Sequence, residues 1–397
     1  MVKEGLNKSA SARRCRLVQR LFRRTILVNA AAACLALSAT AEADFSYLGS
    51  IKNLSVGSRS LVNDDPYFSN LSRLRLEPRF RRGNWTLEAA YDLEVLTGSF
   101  LDTPEFAILK EAPDPRYWDL QDELRESGDL VARHQLYRAT VQWSSPVGDL
   151  RLGRQQVNWS TALIWNPMDI LNPFDPLQLE PEERIGVDAL LWDKPWGALG
   201  RISAVHAPQN RDDEASTALR VKRYIAGVDA GLMAGEFAGV TKAGLSGSGS
   251  IGGTAWRTEI VWSERGGGDS DWQAVADLNW SFRNGVNVAA EYFYNGRPVA
   301  LQTLSPSTVT TTEPRYAGRH YTGLLIWQDI NPFWQYRVVA IGNADDASWV
   351  LYPRSTWTLP VPAEIYLTVG AQVFGGDGDS EYGRLEPLGL LEVQWFF

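Results

Sequence analysis

The sequence predicts an all-β chain folded as a transmembrane, antiparallel up-and-down β-barrel. Three observations predict this fold. Apolar and polar side chains alternate over stretches of about ten residues, aromatic residues fall at the ends of these stretches, and the connections between them are either very short or long and polar.

The alternation is clearest in residues 272–282. The even positions are apolar or aromatic, whereas Gln273, Asp277 and Asn279 lie on the opposite face. Successive side chains of a strand point to opposite faces of the sheet, so one face of this strand is apolar and the other polar. The same pattern occurs in residues 71–81, 85–95, 286–295 and 364–374.

The alternating stretches give 17 candidate strands, although single-chain bacterial barrels normally have an even number. When strands are counted from either terminus, the long connections fall at the same end of the barrel. The two counts disagree between residues 219 and 263. We therefore predict 16 strands, with 18 as the alternative. The candidates are 45–56, 70–80, 84–96, 132–144, 149–158, 184–193, 197–207, 219–231, 235–245, 253–264, 270–282, 286–296, 316–328, 332–342, 347–358, 363–374 and 385–397.

Two further patterns separate a membrane barrel from a soluble β-sandwich. The connections 97–131, 207–218, 297–315 and 375–383 are long, whereas those at 82–83, 146–148 and 283–285 are tight. Aromatic residues at strand ends suit the two membrane interfaces. They are Trp85, Tyr91, Trp143, Trp159, Trp262, Trp272, Tyr294, Trp327, Trp349 and Trp357.

Residues 1–43 are predicted to be a secretory signal peptide, followed by one barrel domain over 44–397. Six arginines between positions 13 and 24 precede an apolar run over 26–37, and Ala-Glu-Ala at 41–43 suits cleavage. A twin-arginine signal at Arg23-Arg24 and a lipoprotein-type site at Cys34 are weaker alternatives. A membrane anchor is also disfavoured, because the apolar run is too short to cross about 30 Å of hydrocarbon.

Removal of this segment leaves an acidic chain without cysteine. Residues 1–43 hold eight Lys/Arg and two Asp/Glu, so residues 44–397 hold 31 and 45, a net charge of −14. Nucleic acid is therefore not an expected partner. Both cysteines, Cys15 and Cys34, lie in the segment, which excludes a disulfide or a thiolate ligand in the mature chain.

The chain ends in an alternating strand whose last aromatic residues are Trp395 and Phe397. A final strand with a terminal phenylalanine resembles the assembly signal of outer-membrane barrel proteins. Together with the signal peptide, this resemblance implies a location in the bacterial outer membrane of a Gram-negative cell. It also implies the barrel-assembly machinery and outer-membrane lipid as partners; the oligomeric state is left open.

Residues 151–192 carry the most characteristic motif. Gly153-Arg154-Gln155 is followed by Asn158-Trp159, as in the "GRQ…NWG" segment of porin-like families. The segment resembles that of alginate-export barrels and related uncharacterised large outer-membrane barrels. Ser160 stands where those families have glycine.

The segment 159–183 that follows is stiffened by Asn166-Pro167, Asn172-Pro173 and Asp175-Pro176. One interpretation is a rigid external loop, and the other is a loop folded into the lumen. In the second case its carboxylates would reach the narrowest part of the pore and favour cations. A calcium site on the same oxygens is a weaker alternative, and we predict no metal. The candidate carboxylates are Asp169, Asp175, Glu180, Glu182 and Glu183.

The polar strand faces are predicted to line the pore. A turn at 82–83 would pair Arg81 with Asn84, so that an arginine row on one strand faces an acidic row on the next. Such charges either orient solutes in the lumen or only stabilise the wall. The predicted pore-lining residues are Arg73, Arg75, Glu77, Arg79, Glu88, Asp92, Glu94, His134, Arg138, Gln142, Arg151, Arg257, Glu259, Asp277 and Glu291.

No enzyme is expected. The three histidines, His134, His206 and His320, lie in no hydrolase or metalloprotease motif, and His134 and His320 are predicted to face the lumen. The chain has no P-loop and no dinucleotide or haem motif, so no cofactor is expected. The leading function is an outer-membrane channel for passive passage of small polar or charged solutes. An export conduit for an acidic polysaccharide and a structural sleeve for partner proteins are the alternatives.

Overall fold

The chain forms a closed antiparallel β-barrel in a computed structural model that describes residues 43–111, 116–184, 186–209, 215–301 and 315–397. Eighteen strands form the wall, and one further short strand, β4, pairs with β5 inside a long connection. The strands are β1(Asp44–Arg59), β2(Pro66–Arg82), β3(Trp85–Thr97), β4(Gln121–Ser127), β5(Leu130–Ser145), β6(Gly148–Gln155), β7(Val187–Pro195), β8(Gly200–Ala207), β9(Ser216–Ile225), β10(Val228–Phe237), β11(Val240–Ile251), β12(Thr254–Glu264), β13(Ser270–Ser281), β14(Asn287–Asn295), β15(His320–Asn331), β16(Trp334–Asn343), β17(Trp349–Thr358), β18(Glu364–Gly375) and β19(Leu388–Phe396).

The wall closes where β1 pairs with β19 as well as with β2. Beyond the last residue of β19, Gly49 N donates to Phe397 O at 2.8 Å, and Phe397 N donates to Gly49 O at 2.9 Å. A Cβ at position 49 would lie 2.3 Å from Cε2 of Phe397. Glycine is therefore required here, because the terminal ring lies directly over the backbone of β1.

The 18-strand alternative is correct and the preferred count of 16 was wrong. The missing strand lies in the region where the long connections could not all be assigned to one end of the barrel. The predicted strands 219–231 and 235–245 are in fact three strands, β9, β10 and β11. Their turns are Ala226-Gly227 (φ 51° and 89°) and Ala238-Gly239 (φ 48° and 78°). Two positive φ values identify type I′ turns, which normally carry Asn or Asp before the glycine. Alanine in that position hid both turns.

The two ends of the barrel differ as expected. Two-residue turns at 83–84, 146–147, 226–227 and 252–253 lie at the end that holds the C-terminus, and the long connections lie at the other. The connection between β3 and β5 contains a 3₁₀ turn at Ser99–Asp102 and one helix, α1(Pro104–Glu111). No helix in the described part of the chain has the length and apolar character needed to cross a membrane.

Aromatic residues lie near both ends of the outward face of the barrel. Trp262 and Trp272 pair near the long connections, whereas Trp85 pairs with Trp143 near the tight turns. Two of the aromatic residues predicted to lie at the membrane interfaces do not lie there. Trp159 is 5% exposed and lies inside the barrel, and Trp327 shares the inward face of β15 with the buried Leu325.

The outward face should reject charge near its centre. Ala276 is exposed on β13, midway between Trp272 and Trp280 on the same face, and Asn279 is on the inward face. Ala276→Arg should lower the free energy of unfolding by about 2–4 kcal/mol if this level is the bilayer midplane, and Asn279→Arg by much less. Urea unfolding in lipid vesicles measures both. Equal losses would contradict a lipid-facing surface at Ala276.

Candidate permeation site inside the barrel

One connection crosses the interior of the barrel. The chain leaves the wall after β6 and returns at β7; residues 156–186, described except for 185, are called the inserted segment. Its residues contact side chains of β1, β2, β12, β14, β17 and β18, which lie on different sides of the wall. A single segment can touch all these strands only from inside.

A buried ion pair marks the point where the chain turns inward. Arg154 Nε donates to Asp188 Oδ1 at 2.9 Å, and both side chains have 0% exposure. Arg154 also donates to the carbonyl of Trp118, whose own N–H donates to Asp188 Oδ2 at 2.8 Å. Gly153 has φ 127° and would place a Cβ 2.0 Å from Ala139 O. The Gly153-Arg154-Gln155 motif therefore builds the exit junction.

Residues 116–127 cover the wall position that β6 vacates. β4 pairs with the end of β5 that lies beyond the β6 pairing, and Leu136 N donates to Leu120 O at 2.9 Å. Trp118 joins this patch to β7 through Asp188. The wall thus stays hydrogen-bonded although one of its strands ends early.

The first half of the inserted segment packs as an apolar core. Ile164, Trp165 and Met168 are 1–2% exposed. Trp165 stacks on Phe293 of β14 with ring centroids 5.4 Å apart and planes at 16°. A Cβ at Gly323 would lie 2.6 Å from Ile164 Cδ1, so the wall needs glycine there to admit the segment.

The second half is held by salt bridges to β1 and β2. Arg73 Nη1 lies 2.7 Å from Glu180 Oε1, Arg75 Nη1 lies 2.8 Å from Glu183 Oε2, and Lys52 Nζ lies 3.2 Å from Glu180 Oε1. Glu180 lies outside the strands. Burial opposes its charge, but Arg73 and Lys52 outweigh burial and hold the pKa of Glu180 below its usual value. This half is therefore attached by charge.

The five candidate carboxylates of the segment have different surroundings. Glu180 and Glu183 are paired as described above, and Asp169 Oδ2 accepts a hydrogen bond from Arg184 Nη1 at 2.9 Å. Asp175 and Glu182 are exposed, although Glu182 lies 3.5 Å from Lys52. The segment thus presents two exposed carboxylates rather than five.

The arginine and carboxylate rows of β2 and β3 do face each other, but the predicted register was wrong by two residues. The turn residues are Gly83 and Asn84, so Arg81 pairs with Thr86 and Arg75 with Asp92. A shift of two residues preserves the faces of both strands. Opposite charges meet at Arg73–Glu94 (2.6 Å), Arg75–Asp92 (2.7 Å) and Arg79–Glu88 (3.0 Å).

Most other predicted wall residues share the inward face. Arg151 donates to Gln142 Oε1 at 2.7 Å, and Arg257 lies 3.1 Å from Asp277. Arg138 lies over the ring of Tyr137. Glu77 is partly exposed on the same face as Arg75, and Glu259 and Glu291 contact the inserted segment.

His134 was predicted wrongly, because it faces outward and packs 5.8 Å from the ring of Tyr91. The pairing of β3 with β5 slips at this level: Ala90 faces Arg138 and Tyr91 faces Leu136, which leaves Tyr137 as a bulge. One extra residue reverses the alternation beyond it. His320 also faces outward, and its Nδ1 lies 2.7 Å from the Tyr292 hydroxyl.

Several inward-facing cations were missed by the sequence analysis, and Lys52, Arg337 and Arg354 are among them. Lys52 is 2% exposed on β1 and lies within 4 Å of four carboxylates. Arg337 of β16 and Arg354 of β17 are direct cross-strand partners. The period-two pattern could have placed each of them inward, but pairing Arg337 with Arg354 requires the register of β16 and β17.

Comparison with known proteins identifies the fold. No protein-family model and no curated protein matches the chain. The solved structure of Pseudomonas aeruginosa OccK9 (OpdG) matches with TM-score 0.60 at 12% identity, over 89% of this chain and 98% of that one. A BenF-like porin from Pseudomonas fluorescens Pf-5 matches with TM-score 0.58 at 9% identity, over 89% and 98%. Pseudomonas aeruginosa OpdK, solved with vanillate, matches with TM-score 0.55 at 8% identity, over 89% and 98%.

The chain therefore has the fold of a porin-like bacterial outer-membrane barrel. This agrees with the predicted fold class and supports the predicted outer-membrane location. The similar structures include OccD, OccK and BenF-like barrels, and the expected resemblance to alginate-export barrels is not supported.

Two neighbouring glutamates of the segment should contribute differently to the free energy of unfolding. The Glu180 side chain is 13% exposed with two cationic partners, whereas that of Glu182 is 50% exposed. Glu180→Gln should lower the free energy of unfolding by about 1.5–3 kcal/mol at neutral pH, and Glu182→Gln by less than about 1 kcal/mol. Urea unfolding at neutral pH measures both.

The stabilisation by Glu180 should depend on pH and should decrease in acid. Because the pKa of Glu180 is lowered in the fold, its contribution is complete above its ordinary pKa and is lost as the pH falls through the lowered value. The difference between the parent and Glu180→Gln should shrink in acid. A difference that does not change with pH would show that charge is not what holds this half.

Proposed function

We propose that the chain is a passive outer-membrane channel for small organic anions. The inserted segment forms the constriction, and Arg337 with Arg354 receives the negative group of the solute. The porin-like fold supports a channel, and the inward position of the segment supports its role as the constriction.

The observation that carries the proposal is the arginine pair. Like charges directly opposite each other across two strands are destabilising. Neither arginine forms an ion pair with any residue that the structure describes, whereas carboxylates pair with Arg73 and Arg75 of β2. Glu182 and Glu392 interact with the pair electrostatically without forming an ion pair. A guanidinium pair that has no bonded carboxylate suits a site that a mobile anion occupies.

The surroundings of the pair define the solute further. The guanidinium carbon of Arg354 lies 5.9 Å from the ring centroid of Tyr352. A guanidinium binds a carboxylate through two parallel hydrogen bonds, and apolar walls hold an organic ring beside it. The cavity that contains both arginines is lined also by Leu163, Ile164, Phe174, Pro176, Pro181, Val339 and Tyr352.

Aromatic carboxylates are therefore the solutes to test first. OpdK, one of the similar barrels, was solved with vanillate, which has this chemistry. The inserted segment narrows the interior, which favours small solutes over a polysaccharide conduit or a sleeve for a partner protein.

Removal of the pair should change selectivity. Arg337→Gln/Arg354→Gln should shift the reversal potential under a salt gradient toward cations and lower vanillate permeation roughly tenfold. Planar-bilayer recording and swelling of proteoliposomes in vanillate measure these effects. The matched control is Arg59→Gln/Arg297→Gln, two exposed arginines outside the interior, which should change neither. Equal effects of both variants would contradict the proposed anion site.

We further propose that residues 1–43 direct export and that Trp395 and Phe397 direct assembly by the barrel-assembly machinery into outer-membrane lipid. Residues 1–42 lie outside the described residues. N-terminal sequencing of the purified barrel should then start near Asp44.

Deletion of Phe397 should lower the yield of heat-modifiable barrel, because the Gly49–Phe397 hydrogen bonds close the wall. An unchanged yield would contradict the assembly role.

A further inference from the structure

Seven consecutive backbone N–H groups of the inserted segment, those of residues 159–165, all donate to carboxylates. Trp159 N and Ser160 N donate to Asp169 Oδ1. Thr161 N and Ala162 N donate to Glu259 Oε1. The N–H groups of Leu163, Ile164 and Trp165 donate to Glu291 at 3.1, 3.2 and 2.6 Å.

Two of these three carboxylates belong to the wall. Glu259 is on β12 with 0% exposure, and Glu291 is on β14 with 3% exposure. Glu259 also accepts hydrogen bonds from the Ser160 hydroxyl at 2.8 Å and from Met168 N at 3.3 Å. The wall therefore contacts the backbone of the segment, in addition to its side chains.

Burial makes these contacts necessary. Residues 159–165 belong to no helix or strand, so no secondary structure supplies acceptors for their N–H groups. Consecutive N–H groups form a concave site for an anion. An ionised carboxylate offers two acceptor oxygens, whereas an amide offers one and turns its own donors toward the remaining N–H groups.

We infer that Glu259 and Glu291 are positioning residues that fix the inserted segment across the lumen. Their carboxylates fix the backbone of residues 161–165, and that backbone sets Trp165 against Phe293. The aperture then depends on two wall glutamates that need not touch the solute. This last step rests on the proposed channel function, whereas the anchoring does not.

The test combines a direct readout of segment position with a readout of the pore. The mature chain is expected to lack cysteine, so Ile164→Cys, at a position that is 2% exposed, reports opening of the segment. A second reporter, Ser203→Cys, at a position on β8 that is 5% exposed and whose hydroxyl donates to Asp193 of β7, reports disruption of the wall. Each is combined with Glu259→Gln/Glu291→Gln and, separately, with Glu291→Gln, which leaves one anchor in place. Gel mobility before and after heating shows which barrels are folded.

The matched control is Glu105→Gln. Glu105 is a 6% exposed carboxylate that accepts hydrogen bonds from the Ser60 hydroxyl and Val62 N, and among the described residues it has no hydrogen bond to the inserted segment. Glu105→Gln therefore makes the same replacement of a buried carboxylate by an amide, but in the connection between β3 and β5.

The double variant should raise the rate of maleimide labelling at Ile164→Cys at least tenfold, leave the rate at Ser203→Cys unchanged and increase single-channel conductance. Glu105→Gln should change none of these values. Unchanged labelling at Ile164→Cys would overturn the inference, as would equal gains at both reporter positions. Faster labelling at Ile164→Cys alone, with unchanged conductance, would support the anchors and contradict the segment as the constriction.

Discussion

Backbone hydrogen bonding is the constraint on which the rest of this structure depends. A closed barrel satisfies its N–H and C=O groups only while every wall position is occupied, and β6 leaves the wall after Gln155. Residues 116–127 fill the vacated position, and Arg154 and Asp188 join that patch to the exit junction. The inserted segment meets the same constraint with carboxylates. The interior loop and the intact wall are thus two consequences of one requirement.

Charge and apolar packing divide the interior between them. The first half of the segment is held by backbone contacts to wall carboxylates and by the stacking of Trp165 on Phe293. The second half is held by salt bridges from Lys52, Arg73 and Arg75. Buried ion pairs are costly unless geometry and further hydrogen bonds compensate for the lost hydration. Asp92 and Glu94 supply that compensation for Arg75 and Arg73, whereas Arg337 and Arg354 form no ion pair within the described part of the chain.

Small departures from ideal strands decide where several side chains point. The bulge at Tyr137 turns His134 outward although it lies on a strand with predicted pore-lining residues. Alanine in left-handed turns at 226 and 238 conceals one complete strand. Glycine at 323 admits Ile164 and Trp165 to the wall. Each feature involves one residue, and a period-two pattern detects none of them.

The sequence by itself determined the barrel, its two unequal ends, the apolar outward face and the region of the miscounted strand, because these depend on local alternation and turn length. It also placed Glu259, Glu291 and the arginine row on the polar face, and it identified residues 159–183 as unusual. Only the tertiary structure decided that this segment lies inside, that Glu180 and Glu183 are neutralised by β1 and β2, and that Arg337 meets Arg354. The contacts of the segment join residues that are far apart in the chain, and the Arg337–Arg354 contact depends on the register of two consecutive strands, so neither follows from local alternation.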